Sequence, residues 1–291
     1  MKKIAFITSE DDPNLSKDDQ LAIQPLFQLG YQVFPLIWDN PLESAEIFDA
    51  LIFRSCWNYH RKFSQFLSWV EQLKRLNIPI LNPVDISLWN LDKKYLLELE
   101  NKGILIPQTY SISRAAPLNE QTIKSILKKI DASHLVIKPS VSLNGHDTYL
   151  LPSHDEQAII KALNSLPAEH DILVQEFIPE IKSSEEISLI FFNNKFSHAI
   201  RKTPSQQEFR IHSEYGGSRS PFQPDLALIQ QGEKILETVG QRLLFSRVDV
   251  IENKNGAVLI ELEIIDPMLF LGYSPQAPQR FAEEIANSLK I

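Results

Sequence analysis

The 291 residues predict an α/β fold made of consecutive lobes. Three observations carry this. Strands and helices alternate in the first third, a short α+β unit follows, and hairpins dominate the last third. In order, KIAFIT, YQVFPLI, ALIFRS and IPIL are short apolar runs rich in β-branched and aromatic residues. Helical stretches from Lys17 to Leu29 and from Ser64 to Leu76 separate them, with Gly30 and Asn77 where helix stops belong. This pattern predicts a small parallel sheet ending near Asn82-Pro83. The run WNLDKKYLLELENKG reads as an amphipathic helix stopping at Gly103, and ILIPQTYSI as a strand. Then come helix EQTIKSILKK, strand HLVIKPS, loop VSLNGHD, strand TYLLP, helix EQAIIKALNSL and strand DILVQEFI. Two hairpins follow, EEISLIFF with FSHAIRK around Asn193-Asn194, and SRVDVIE with AVLIELEII around Asn253 to Gly256. A helix from about Asp225 to Leu244 lies between them, and FAEEIANSLK closes the chain.

Composition excludes several classes. Hydrophobic content of 43% and charged content of 23% are ordinary for a globular protein. A net charge of -8 leaves no basic stripe for nucleic acid. No apolar run reaches the length of a membrane span, and acidic residues interrupt the N-terminus before a signal-peptide core develops. A cytoplasmic location is the expectation. The single Cys56 fits a reducing compartment and has no His and Asn or Asp arrangement that would make it a nucleophile.

The stretch VLIELEIIDP raises a question of cost. Glu261 and Glu263 stand two apart in an apolar strand and so share a face, about 6 to 7 Å from each other, with Ile260, Leu262 and Ile264 expected on the other. Pairing across the turn brings Asp249 opposite Glu261 or Glu263. Such a face is either simply solvated or neutralised by a hard cation, and an all-oxygen set selects Mg2+ over zinc. Mg2+ commonly completes its shell with nucleotide phosphates, and Lys93 and Lys138 are the cations placed to meet them. Each has an alternative reading, Lys93 as a solvated helix lysine and Lys138 as a strand lysine with its counterion elsewhere.

In the order Lys93, Lys138, LVQEFI, a charged hairpin, Arg210, Asp249 and E-x-E, the chain resembles the ATP-grasp superfamily, in particular its glutathione-synthetase-like branch. More narrowly, RSCWNYH, NPxxxxxWNxDKxYL, FSHAIRKTP, EFRIHSEYGG and ELEIIDPxLFL are similar to a group of ligases that includes a cycloserine-forming enzyme. The resemblance implies an ATP-grasp architecture, with an N-terminal domain over 1–86, a first lobe with the lid over 87–176, and a C-terminal metal lobe over 177–291. It implies ATP and Mg2+ as cofactors, with Lys93 and Lys138 on the phosphates and Asp249, Glu261 and Glu263 as metal ligands. Gln175, Glu176, Phe177 and Ile178 would form the hinge facing adenine, and Glu186 would lie near the ribose. Glu-x-Glu replaces the usual Glu-x-Asn, which leaves the ligand set, including Asp266, open.

The loop VSLNGHDT would cover the phosphates. With Gly145 as its one glycine, Ser142, Asn144 and His146 are candidate side-chain donors. Arg210 is the candidate to stabilise an acyl phosphate and its oxyanion, or is a surface ion pair. After the strand ALIF, Arg54 reads either as a substrate carboxylate clamp or as the partner of an acidic neighbour, with Ser55 as donor and Trp57 and Tyr59 as walls. Arg201, Lys202, Gly216, Gly217 and Arg219 are further candidates near the substrate. The function expected is an ADP-forming ligase joining a small carboxylate or amino acid to an amine or thiol. The alternatives are a nucleotide sensor without turnover and a small-molecule phosphotransferase. Self-association belongs to the resemblance.

Overall fold

The computed structural model describes residues 1–42, 45–143, 145–182, 185–205 and 216–290. The alternating first third forms a parallel sheet of β1 (Lys2–Thr8), β2 (Tyr31–Ile37), β3 (Ala50–Ser55) and β4 (Ile80–Leu81) in the order β2-β1-β3-β4. Strand β3 is buried throughout, as a strand covered on both faces must be. The helix expected over Lys17 to Leu29 is two short pieces, α1 (Lys17–Gln20) and α2 (Ile23–Gln28). Helix α3 (Phe63–Lys74) lays Phe66, Trp69, Val70 and Leu73 on the sheet at helical spacing.

A second sheet, antiparallel, contains β5 (Thr109–Ile112), β6 (His134–Pro139), β7 (Tyr149–Pro152) and β8 (Ile172–Glu176) in the order β5-β8-β6-β7. Helices α6 (Glu120–Lys129) and α7 (Glu156–Ser165) bury their apolar stripes against it. The third sheet runs β11-β10-β9-β12-β13, with β9 (Glu186–Phe192), β10 (Lys195–Thr203), β11 (Ser218–Phe222), β12 (Phe245–Asn253) and β13 (Gly256–Glu263), all antiparallel. Helices α8 (Leu226–Val239) and α9 (Ala277–Ser288) pack on it.

The single helix expected over WNLDKKYLLELENKG breaks at Asp92, which is extended. Two helices result, α4 (Val84–Leu91) and α5 (Tyr95–Asn101), and Lys93 stands in the break rather than at a helix start. There its N–H donates to the Ser140 carbonyl at 2.8 Å. The break also lets side chains reach β13. The Asn90 amide donates to Leu262 O and accepts from Ile264 N, and the Tyr95 hydroxyl donates to Leu262 O and accepts from Leu262 N, all at 2.7 to 2.9 Å. Asn82 donates to Ile264 O at 2.7 Å. The strand carrying both glutamates is thereby fixed along its outer edge. Among the described residues no helix is long and apolar enough to cross a membrane.

Candidate active site

Asp249 on β12 is the register partner of Glu261 on β13, and Glu263 shares their face. One oxygen from each of the three lies within 4.8 Å of the others. The ladder slips between Asp249 and Val250, and this displaces Ile260 from the expected alternation. Ile260 lines the cavity with the glutamates, while Leu262 turns into the core.

Cations surround the trio. Lys202 bridges Glu186 at 2.8 Å and Asp249 at 3.1 Å. Arg247 grips Asp249 with Nε and Nη2, bonds Glu263 with Nη2, and donates to the Met268 carbonyl at 3.2 Å. Lys93 lies 3.1 Å from Glu261 and bonds the Ser142 carbonyl. Ser188 donates to Asp249.

The titration of these groups follows from burial set against neighbours. Burial pushes the Asp249 carboxyl up, yet Arg247 and Lys202 overcome it and hold Asp249 well below the usual range. For Glu261 burial again raises, and Lys93 and Lys138 prevail, so the group is lowered. At Glu263 burial wins over Arg247, and the carboxyl rises to about 8. Glu186 rises to about 7 through burial, partly offset by Lys202. Burial pushes Lys138 down to about 8, with Glu261 opposing. Three carboxylates on one face, Asp249 buried and Glu261 and Glu263 partly buried, form an all-oxygen donor set suited to a hard divalent cation.

The trio opens on a cavity of about 300 Å³. Lys93 lines it from the break, Lys138 from β6, and Ser142 and Gly145 from the loop that follows. Gln175, Glu176, Phe177 and Ile178 line it from the end of β8, and Glu186 from β9. Glu176 is held by the Gln108 N–H at 2.9 Å and its amide at 3.1 Å, and Gln175 donates to Thr109 at 3.0 Å. Trp57 and Arg219 close the far end with Met268 and Phe270.

Other candidates lie elsewhere. Of the two readings of Arg54 the structure matches the second, not the substrate clamp: it is 1% exposed and pairs with Asp19 at 2.7 Å, because α1 places that carboxylate beside the end of β3. Ser55 donates to the same Asp19, and Tyr59 is buried against Phe66 with ring centroids 5.1 Å apart. Neither lines the cavity. Arg201 pairs with Glu185 at 3.1 Å and lies over the Phe222 ring, and Gly217 precedes β11 outside the lining. His146 is exposed beside Asp147, and Asp266 lies buried behind the site, its carbonyl bonded by Trp57. Arg210 and Asn144 lie outside the described residues.

Arg247 lines the cavity without being among the residues expected from sequence, and Lys202, a candidate near the substrate, meets the carboxylates directly. Both had a signal. Arg247 is two before Asp249 on one strand and therefore shares its face. Lys202 is the register partner of Glu186 across the Asn193-Asn194 hairpin.

Residues 92–267 match the RimK-like ATP-grasp domain, and residues 4–82 match the N-terminal domain of D-cycloserine synthetase DcsG. The chain is 23% identical over 264 residues to the cycloserine biosynthesis protein DcsG of Streptomyces lavendulae, covering 87% of each. Against the crystal structure of D-cycloserine synthetase DcsG the TM-score is 0.89 at 21% identity, with 99% of both chains covered. The ATP complex of D-alanine–D-alanine ligase from Bacillus anthracis gives 0.69 at 14% identity, covering 100% of this chain and 98% of that one. The ATP-grasp ligase PsnB, solved with a minimal precursor, Mg and ADP, gives 0.66 at 14%, covering 99% and 98%. The chain belongs to the RimK-like ATP-grasp family and is an ADP-forming ligase similar to the cycloserine-forming group.

Proposed function

We propose that this ligase activates a small carboxylic acid or amino acid as an acyl phosphate and passes the acyl group to an amine or thiol, releasing ADP and phosphate. The observation that carries it is one cavity wall on which Asp249, Glu261 and Glu263 meet Lys93, Lys138, Lys202 and Arg247. Lys93 and Lys138 take the nucleotide phosphates, with the end of β8 against the base and Glu186 toward the ribose. Asp249, Glu261 and Glu263 hold Mg2+, which offsets charge on the phosphoryl oxygens when bound. Arg247, already beside the carboxylates, is the cation for the acyl phosphate and the oxyanion of amine attack. Arg219, whose Nε is buried without a hydrogen-bond partner among the described residues, faces the substrate end, where a carboxylate of the acid would answer it. A cytoplasmic location and small-molecule partners go with this reading.

Purified protein with ATP, Mg2+ and pooled acids and amines will release ADP only when both an acid and an amine or thiol are present. ADP formation independent of the nucleophile would make the protein a phosphotransferase instead. The Glu261→Gln variant will be at least about 100-fold slower, since it loses a metal ligand. Wild-type rates in that variant would remove Glu261 from the metal site.

Lys138 gives a pH dependence. Its proton affinity is depressed in the folded chain, so between pH 8 and 10.5 the unfolded chain binds more protons and stability rises with pH; the burial cost is present in full below about 8. A phosphate beside Lys138 favours the ammonium. Nucleotide binding will therefore take up a proton above pH 8, and affinity will fall by up to about tenfold per pH unit. Calorimetry in buffers of different ionisation enthalpy measures both, and proton-neutral binding at pH 9 would refute the assignment.

A further inference from the structure

The segment from Asp266 to Leu271 passes between the parallel sheet and the cavity, and nearly every peptide in it is held. Trp57 Nε1 donates to Asp266 O at 2.9 Å, Arg54 Nη2 to Pro267 O at 3.0 Å and Arg247 Nη1 to Met268 O at 3.2 Å. His198 Nε2 donates to Leu269 O at 2.9 Å and lies 3.2 Å from Phe270 O. The Asp18 carboxylate takes the N–H of Leu269 at 3.0 Å and of Leu271 at 2.7 Å, one on each side of Phe270. Between these anchors Phe270 has φ 53° and ψ 40°. A bulky residue leaves this left-handed region unless its surroundings impose it.

That backbone aims the ring at the site's cations. Lys202 Nζ lies 5.7 Å from the ring centroid, the Arg219 guanidinium 5.1 Å and the Arg247 guanidinium 5.4 Å. Each is within the range in which an aromatic quadrupole attracts a cation. Lys202 and Arg247 also have carboxylate partners; Arg219 has no ion pair with a described residue, and its Nη1 meets the Met268 sulfur at 3.5 Å. A carboxylate at the ring's position would hold the three cations more firmly but would spend their charge. An aromatic face gathers them and leaves that charge for a ligand.

We propose that Phe270 is a positioning residue, whose ring holds Lys202, Arg219 and Arg247 together to receive the transferring phosphoryl group. This rests on the ligase reading above. The N-terminal domain then acts on the chemistry through Asp18 and Arg54, which fix the backbone on either side of that ring.

The test substitutes mono-, di- and trifluorinated phenylalanine at position 270, weakening the quadrupole while nearly preserving shape. Binding of Mg·AMP-PNP and of Mg·ADP to the full chain is measured by calorimetry, with the melting temperature of each variant. Affinity for Mg·AMP-PNP should fall about threefold with each added fluorine, ~30-fold across the series. Affinity for Mg·ADP, which lacks the γ-phosphoryl group, and the melting temperature should stay constant. A flat Mg·AMP-PNP series, or equal losses for both nucleotides, would overturn the role of Phe270 and leave the ligase reading standing. Failure of the unsubstituted protein to bind either nucleotide would overturn both.

Discussion

Arg247→Met will lower the rate of ADP formation by at least about 10³-fold, and Arg247→Lys will not restore it. One guanidinium meets Asp249, Glu263 and the Met268 carbonyl at once. A lysine offers one ammonium and no fork, so it reaches at most part of this set. Removal of a single preorganised donor to a developing oxyanion costs about 10² to 10³ in turnover, and here the same change also unbalances two of the three carboxylates proposed to hold Mg2+. The variant carries a second signature. With the arginine gone, Asp249 and Glu263 lose the cation that opposes their burial, so Mg2+ will raise the melting temperature of Arg247→Met more than that of the wild type. Turnover within tenfold of wild type would place Arg247 outside the chemistry, and an equal Mg2+ response would show that the carboxylates do not share a cation.

Arg54→Ala will destabilise the fold by about 3–5 kcal/mol, the usual cost of stranding one member of a buried ion pair. Asp19 would lose its partner at a site where both side chains are 1% exposed, and the Arg54 guanidinium would leave its place over the Phe245 and Phe281 rings. The double variant Arg54→Met with Asp19→Leu removes both charges and should recover most of that loss, as replacement of a buried pair by apolar groups of similar size often does. Chemical denaturation of the three proteins measures this. If Arg54→Ala keeps wild-type stability and raises the KM of an acid substrate instead, the arginine is a clamp after all.

The contrast between these two arginines shows what the sequence could disclose. Period-two alternation and a good turn at Asn253 to Gly256 were enough to place Asp249 opposite Glu261 or Glu263, and the ladder selects Glu261. The order of Lys93, Lys138, LVQEFI, the charged hairpin, Arg210, Asp249 and the E-x-E strand, with the longer motifs, indicated the family. Arg54 stands near the end of an apolar strand in the parallel sheet, where ligand clamps also stand, and nothing in its neighbourhood in sequence names Asp19 as its partner, 35 residues away. Long-range ion pairs of this kind leave no periodic trace. The bulge at Ile260 and the extended Asp92 are similar cases. Both are local departures from a regular pattern: Ile260 falls between the pairs Asp249–Glu261 and Val250–Leu259, and Asp92 precedes the Lys93 N–H bond to the Ser140 carbonyl.

The side chains that pin β13 have a consequence for solubility. An outer strand with open N–H and C=O groups invites pairing with another copy of the chain. Asn82, Asn90, Tyr95 and the Leu105 carbonyl occupy those groups from Leu259 to Ile264, so no foreign strand can add there without displacing them. At the opposite border Pro221 removes a donor from β11. The sheet that carries the charged cavity wall is thus guarded at both margins against extension into a fibre.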